Sequence, residues 1–178
     1  MNSEKRSKGK ISVFELCAYA MLATLMLLSK LVMEALPNVH LLGTLTMVYT
    51  IVLRRRALIP IYLYVFLNGL IAGFNLWWVP YLYIWTVLFF VTMLLPRSMP
   101  RRACAIVYPA VCALHGFLFG ILYAPAEALM FGLDFEGMIA WIVAGLPFDL
   151  IHGVGNFVTG LLVLPLSDAF GRLWRSGR

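Results

Sequence analysis

Apolar residues run in long stretches along this chain, and polar residues are largely confined to the breaks between them. The pattern predicts six apolar helices, over roughly residues 12–35, 39–53, 57–76, 80–95, 103–123 and 147–166. Pro80 and Pro147 stand where a proline starts a helix without losing a needed N–H. All fourteen Lys and Arg except Lys30 fall at every second break: Lys5, Arg6, Lys8 and Lys10; Arg54, Arg55 and Arg56; Arg97, Arg101 and Arg102; Arg172, Arg175 and Arg178. The intervening breaks carry Glu34, Glu127, Asp134 and Glu136. Basic loops resist translocation, so the alternation predicts six spans with both termini in the cytoplasm.

Two spans are short. Sixteen residues reach about 24 Å against a hydrocarbon core of about 30 Å. Residues 124–146 are too many for a tight turn and too apolar for open water, so they are expected to lie on or dip into the outer side of the bundle. The expected architecture is an all-α integral membrane protein, a six-transmembrane-helix bundle with a loop-covered outward pocket. It divides into a basic cytoplasmic tail (1–11), a six-span membrane domain (12–166) and a second basic tail (167–178).

Composition agrees. The chain is 62% hydrophobic and 12% charged, about half the charge of a soluble domain. The net charge of +6 is accounted for by topology, so nucleic acid is not an expected partner. The first span follows a basic tail but is too long for a signal-peptide core and lacks a small-residue cleavage site, so it reads as a retained anchor. Cys17, Cys104 and Cys112 are odd in number and lie in spans, which suggests neither a disulfide framework nor a metal site. Gly69/Gly73 and Gly116/Gly120 are small-xxx-small pairs, suited to close helix packing.

Ionisable groups inside a membrane are costly and therefore functional candidates. The last span holds Asp149, His152 and Asn156 at i, i+3 and i+7, on one helical face. With Pro147 as helix starter, Asp149 falls in the first turn, where the helix dipole favours a carboxylate. The group either lines a ligand site or forms a cap and an interhelical hydrogen-bond network. His115 sits mid-span, and Asn68 resembles it. Trp77, Trp78, Tyr81, Tyr83 and Trp85 crowd one outer turn. An interfacial belt needs fewer, so some are expected to point inward, as walls for a planar ligand. Asn38 and His40 contribute a lid or cap the second helix. Asp149 and the aromatic density together favour a flat ligand with hydrogen-bond donors or positive charge.

No metalloprotease, serine-hydrolase or phosphate-loop motif is present, and no cofactor or metal is expected. Ser12, Ser29, Ser98, Ser167 and Ser176 all lie outside the outer cluster. Energised transport would need an ATPase partner.

Six spans, Leu36-Pro37-Asn38-Val39 before the second, and Gly145-Leu146-Pro147-Phe148-Asp149-Leu150-Ile151-His152-Gly153-Val154-Gly155-Asn156 opening the sixth resemble the substrate-binding S component of energy-coupling factor (ECF) transporters. The resemblance implies a prokaryotic plasma-membrane protein that binds a vitamin or related micronutrient at the outer face. It also implies a membrane coupling subunit and two cytoplasmic ATPases as partners. Asn38, His40, Trp78, Tyr81, Trp85, His115, Asp149, His152 and Asn156 are the candidate substrate-binding residues. The family docks through an Ala-x-x-x-Ala surface on its first span, whose nearest counterpart here is Ala20, Ala23 and Thr24. Two other readings stand beside this one: a membrane enzyme of the outer leaflet using His115, Asp149 and His152 as acid–base groups, and a scaffold subunit with no ligand.

Overall fold

A computed structural model describes residues 11–36 and 39–177, and every regular element among them is helical. The helices are α1 (Val13–Val32), α2 (Leu42–Leu53), α3 (Leu58–Ala72), α4 (Tyr81–Leu94), α5 (Arg101–Phe117), α6 (Phe119–Phe131), α7 (Phe135–Gly160) and α8 (Val163–Ser176). Single 3-10 turns, Arg54–Ala57 and Leu76–Trp78, lead into α3 and α4.

Four segments among the described residues are long and apolar enough to cross a membrane: Val13–Val32, Leu76–Leu94, Arg101–Phe131 and Phe135–Gly160. Helices α2 and α3, with 12 and 15 residues, reach only about 18 and 22 Å. The surface is inverted relative to a water-soluble domain. Val13, Val32, Leu94 and Leu129 are each more than three-quarters exposed, while Thr44, Thr46, Thr50, Asn68, Thr92, His115, His152 and Asn156 are buried. Apolar side chains outside and amides, hydroxyls and imidazoles inside suit a bundle whose solvent is lipid.

Helix α2 is the axis. Every residue from Leu42 to Thr50 is buried, and the helix touches α1, α4, α5, α7 and α8. Arg54, in the left-handed region at φ 56°, reverses the chain from α2 toward α3. Helix α1 starts in a capping box: Ser12 accepts from the Glu15 N–H and Glu15 accepts from the Ser12 N–H. The buried Glu15 carboxylate also pairs with Arg56, tying the start of α1 to the end of α2.

Helices α5 and α7 pack backbone to backbone. A Cβ added at Gly116 would lie 2.8 Å from Gly153 Cα, and one at Gly160 would lie 2.9 Å from Pro109 Cα. The glycine pair of the fifth span is thus used inside the bundle. Gly69 leaves room for the rings of Phe74 and Trp78.

The structure corrects two expectations, the start of the last span and the form of residues 124–146. Pro147 opens nothing: α7 begins after Asp134, whose side chain accepts from the Gly137 N–H, and runs through Pro147 to Gly160. Asp149 therefore lies mid-helix and not in a first turn. Residues 124–146 form no covering loop, because α6 continues to Phe131, turns at the left-handed Gly132 and passes directly into α7. Residues 167–176 belong to α8, an amphipathic helix whose Trp174 packs on Phe14, Tyr19 and Phe170. The expected basic N-terminal tail, through residue 10, lies outside the described residues.

Candidate functional site

Chain direction sorts the bundle into two ends. Arg54–Arg56 follow α2, Arg97 follows α4, and Arg101 and Arg102 open α5. At the opposite end His40 precedes α2, Tyr81 and Trp85 open α4, and His115 closes α5. The second end holds the candidate site.

Trp85 is its centre. It is 1% exposed, and its ring lies 5.7 Å from Tyr81, 5.8 Å from His115, 6.2 Å from His40, 6.3 Å from Phe119 and 6.4 Å from Tyr64. His152, from α7, closes the ring of contacts at 4.8 Å from His40 and 4.7 Å from Phe119. Six separate segments of chain thus place aromatic or imidazole rings in one enclosed cluster.

Many of its polar atoms are unmatched among the described residues. His115 contacts the Ile84 carbonyl through Nε2, at 3.2 Å. Among the described residues, His115 Nδ1, His40 Nδ1, His152 Nε2, Tyr64 Oη, Trp85 Nε1 and both amide atoms of Asn156 are buried with no hydrogen-bond partner. Each such group costs about 1–3 kcal/mol in a folded protein, and they are normally few. Their concentration around one tryptophan makes this cluster the candidate site.

Asn156 lies at the floor, where α2, α5 and α7 meet. A Cβ at Gly43 would lie 3.4 Å from its Nδ2, and one at Gly116 2.9 Å. Asp149, His152 and Asn156 share a face of α7, as their spacing predicts, and all three are buried. They then diverge. Both oxygens of Asp149 accept from the Gly120 N–H, at 3.0 and 3.2 Å. That amide is in the first turn of α6, whose N–H groups lack intrahelical partners. Asp149 and His152 also line an open 260 Å³ cleft with Phe119, Tyr123, Trp141 and Phe148.

Trp78 stands apart from the cluster: its indole N–H donates to the Val65 carbonyl at 2.8 Å, and its ring meets Phe74. Asn38 lies outside the described residues. Among the docking candidates, Ala20 and Thr24 are on the exposed face of α1, with the Thr24 hydroxyl donating to the Ala20 carbonyl at 2.9 Å. Ala23 is fully buried against the bundle and does not reach that surface. Among the described residues no three His, Cys, Asp or Glu side chains are placed to hold a metal ion.

Sequence reasoning missed Lys30, Tyr64 and Phe119. Lys30 donates to Asn68 Oδ1 at 2.8 Å and lies 5.7 Å from the Trp77 ring centre. It had a signal, as the one basic residue off the alternating pattern. Tyr64 stands four residues before Asn68, one turn away on the same helical face, but is masked by apolar neighbours. Phe119 had none.

Compared with protein-family models, curated proteins and solved structures, the chain matches none.

Proposed function

We propose that this protein is the membrane-embedded substrate-binding subunit of an ECF-type transporter in a prokaryotic plasma membrane. In this reading α1, α2, α3, α4, α5–α6 and α7–α8 make six passes, both termini are cytoplasmic, and the Trp85 cluster faces outward. The subunit captures a vitamin-like micronutrient, and a membrane coupling subunit with two ATPases drives its uptake. The observation that carries the reading is the enclosed cluster around Trp85, aromatic in its walls and rich in buried polar atoms without partners among the described residues. Ligand sites have this composition, whereas a packing core satisfies its polar atoms. The exposed Ala20–Thr24 face of α1 offers the coupling subunit a small-residue surface.

The test is affinity purification of the tagged protein from its native membrane, together with equilibrium binding of a vitamin panel to the purified protein. Co-purification of a membrane subunit with ATPases, and reversible binding of one panel member without turnover, support the reading. Chemical conversion of a bound compound, or binding of none with no ATPase recovered, overturns it.

A further inference from the structure

The unmatched atoms around Trp85 are lopsided in kind. Tyr64 Oη, Trp85 Nε1, Asn68 Nδ2 and Asn156 Nδ2 all carry hydrogens to donate and have no partner among the described residues. Tyr64, Asn68, Trp85 and Asn156 are each at most 1% exposed. Against these donors stands one partnerless obligatory acceptor, Asn156 Oδ1. The histidines adapt, because each neutral imidazole can present either a donor or an acceptor.

Charge points the same way. Lys30 makes no ion pair among the described residues: Glu34, one turn on, does not come within 4 Å, and the ion pairs are Glu15–Arg56 and Arg101–Asp168. The ammonium instead has the neutral amide of Asn68 and the face of Trp77. Two routes join it to the cluster. Trp77 lies 5.6 Å from Tyr81, which lies 5.7 Å from Trp85. Asn68 follows Tyr64 by one turn of α3, and Tyr64 touches Trp85 at 6.4 Å. Asp149, the carboxylate on the α7 face shared with His152 and Asn156, is turned toward the Gly120 amide.

We infer that the ligand is a planar heteroaromatic acid, its ring against Trp85 and its carboxylate held by Lys30 with Asn68. Lys30 is half-buried and has no ion pair among the described residues, and a ligand carboxylate would both pair with its ammonium and accept from Asn68 Nδ2. A cationic ligand would instead meet Lys30 and a field of donor groups. This assignment rests on the binding-subunit reading and departs from the expectation of a donor-rich or positively charged ligand, which rested on Asp149 and the aromatic density.

The test is high-resolution mass spectrometry of small molecules released from the purified full-length protein, for wild type, Lys30→Gln and Lys30→Arg. Each preparation is first shown to be monodisperse. The expected result is a near-stoichiometric heteroaromatic acid from wild type, reduced at least tenfold in Lys30→Gln and largely restored in Lys30→Arg. Should Lys30→Gln not fold, competition on wild type between the released acid and its primary amide replaces it, with the acid expected to bind at least tenfold tighter. A released molecule without an acidic group, equal retention by Lys30→Gln, or equal binding of acid and amide overturns the assignment and leaves the binding-subunit reading standing. A wild-type protein that releases nothing and binds no heteroaromatic acid, nicotinate and indole-3-acetate included, overturns both.

Discussion

Asp149 clamps the start of the neighbouring helix: both of its carboxylate oxygens accept from the Gly120 N–H, at 3.0 and 3.2 Å. The contact depends on Gly120 having no side chain, since a Cβ there would lie 2.3 Å from Asp149 Oδ2. It also explains how α6 begins without a side-chain cap of its own. The carboxylate favours the positive end of the α6 dipole and satisfies one of its orphan donors.

Asp149 is accordingly expected to act on stability first. Asp149→Asn keeps an acceptor for Gly120 and should cost about 1 kcal/mol, whereas Asp149→Ala strands the amide and should cost about 2–3 kcal/mol. Ligand affinity should change less than threefold in Asp149→Asn. Thermal unfolding in detergent, paired with ligand titration, checks both; a large affinity loss in Asp149→Asn at unchanged thermal stability would return this residue to the binding site.

Removing a partnerless donor should separate stability from binding. Tyr64→Phe deletes a buried hydroxyl that has no partner among the described residues and leaves the ring in place. The empty protein should gain about 1 kcal/mol, while binding weakens about 5- to 30-fold as the ligand loses a hydrogen bond. The melting temperature should therefore rise without ligand and stay level or fall with it, a trade-off expected of a site built for a guest.

The α5–α7 contact predicts a sharp contrast among glycines. Gly116→Ala forces a methyl against Gly153 Cα at 2.8 Å, where backbone must yield, and should cost about 1–3 kcal/mol. Gly145→Ala, in the same α7 but facing nothing within 4 Å, should be neutral or stabilise by up to about 1 kcal/mol through helix propensity. The yield of monodisperse protein and its thermal midpoint discriminate the two.

Glu15 offers a fourth test. Its carboxylate is buried, caps α1 and meets Arg56, whose side chain is 37% exposed. Glu15→Gln keeps the shape and removes the charge. A loss of about 1–3 kcal/mol is expected, below the full value for a buried pair because water screens the arginine side. A double-mutant cycle with Arg56→Gln isolates the pairwise part.

Much of the helical arrangement was legible in the sequence because long apolar runs admit few alternatives in a bilayer. The three-residue spacing of Asp149 and His152 correctly put them on one face with Asn156. Boundaries were another matter. Pro147 resembles a helix starter, yet α7 carries it inside, which sequence pattern does not reveal. The stretch 124–146 lacks polar breaks apart from Glu127, Asp134 and Glu136, and its folding into α6 and α7 is set by the left-handed turn at Gly132. The destination of the Asp149 carboxylate was equally hidden, since helical spacing says which residues share a face and nothing about which neighbour that face meets. Lys30 and Tyr64 join the site through tertiary contacts with α3 and α4, beyond the reach of any local pattern.

Where Gly116 meets Gly153, and Pro109 meets Gly160, no layer of side chains separates α5 from α7. Helices normally slide by letting side chains swap rotamers, and main chain in direct contact has none to swap. These two helices behave as one slab with a fixed wall. Any breathing at this end of the bundle falls to the opposite side, where Trp85, Tyr81 and Tyr64 meet it with side chains that can swing.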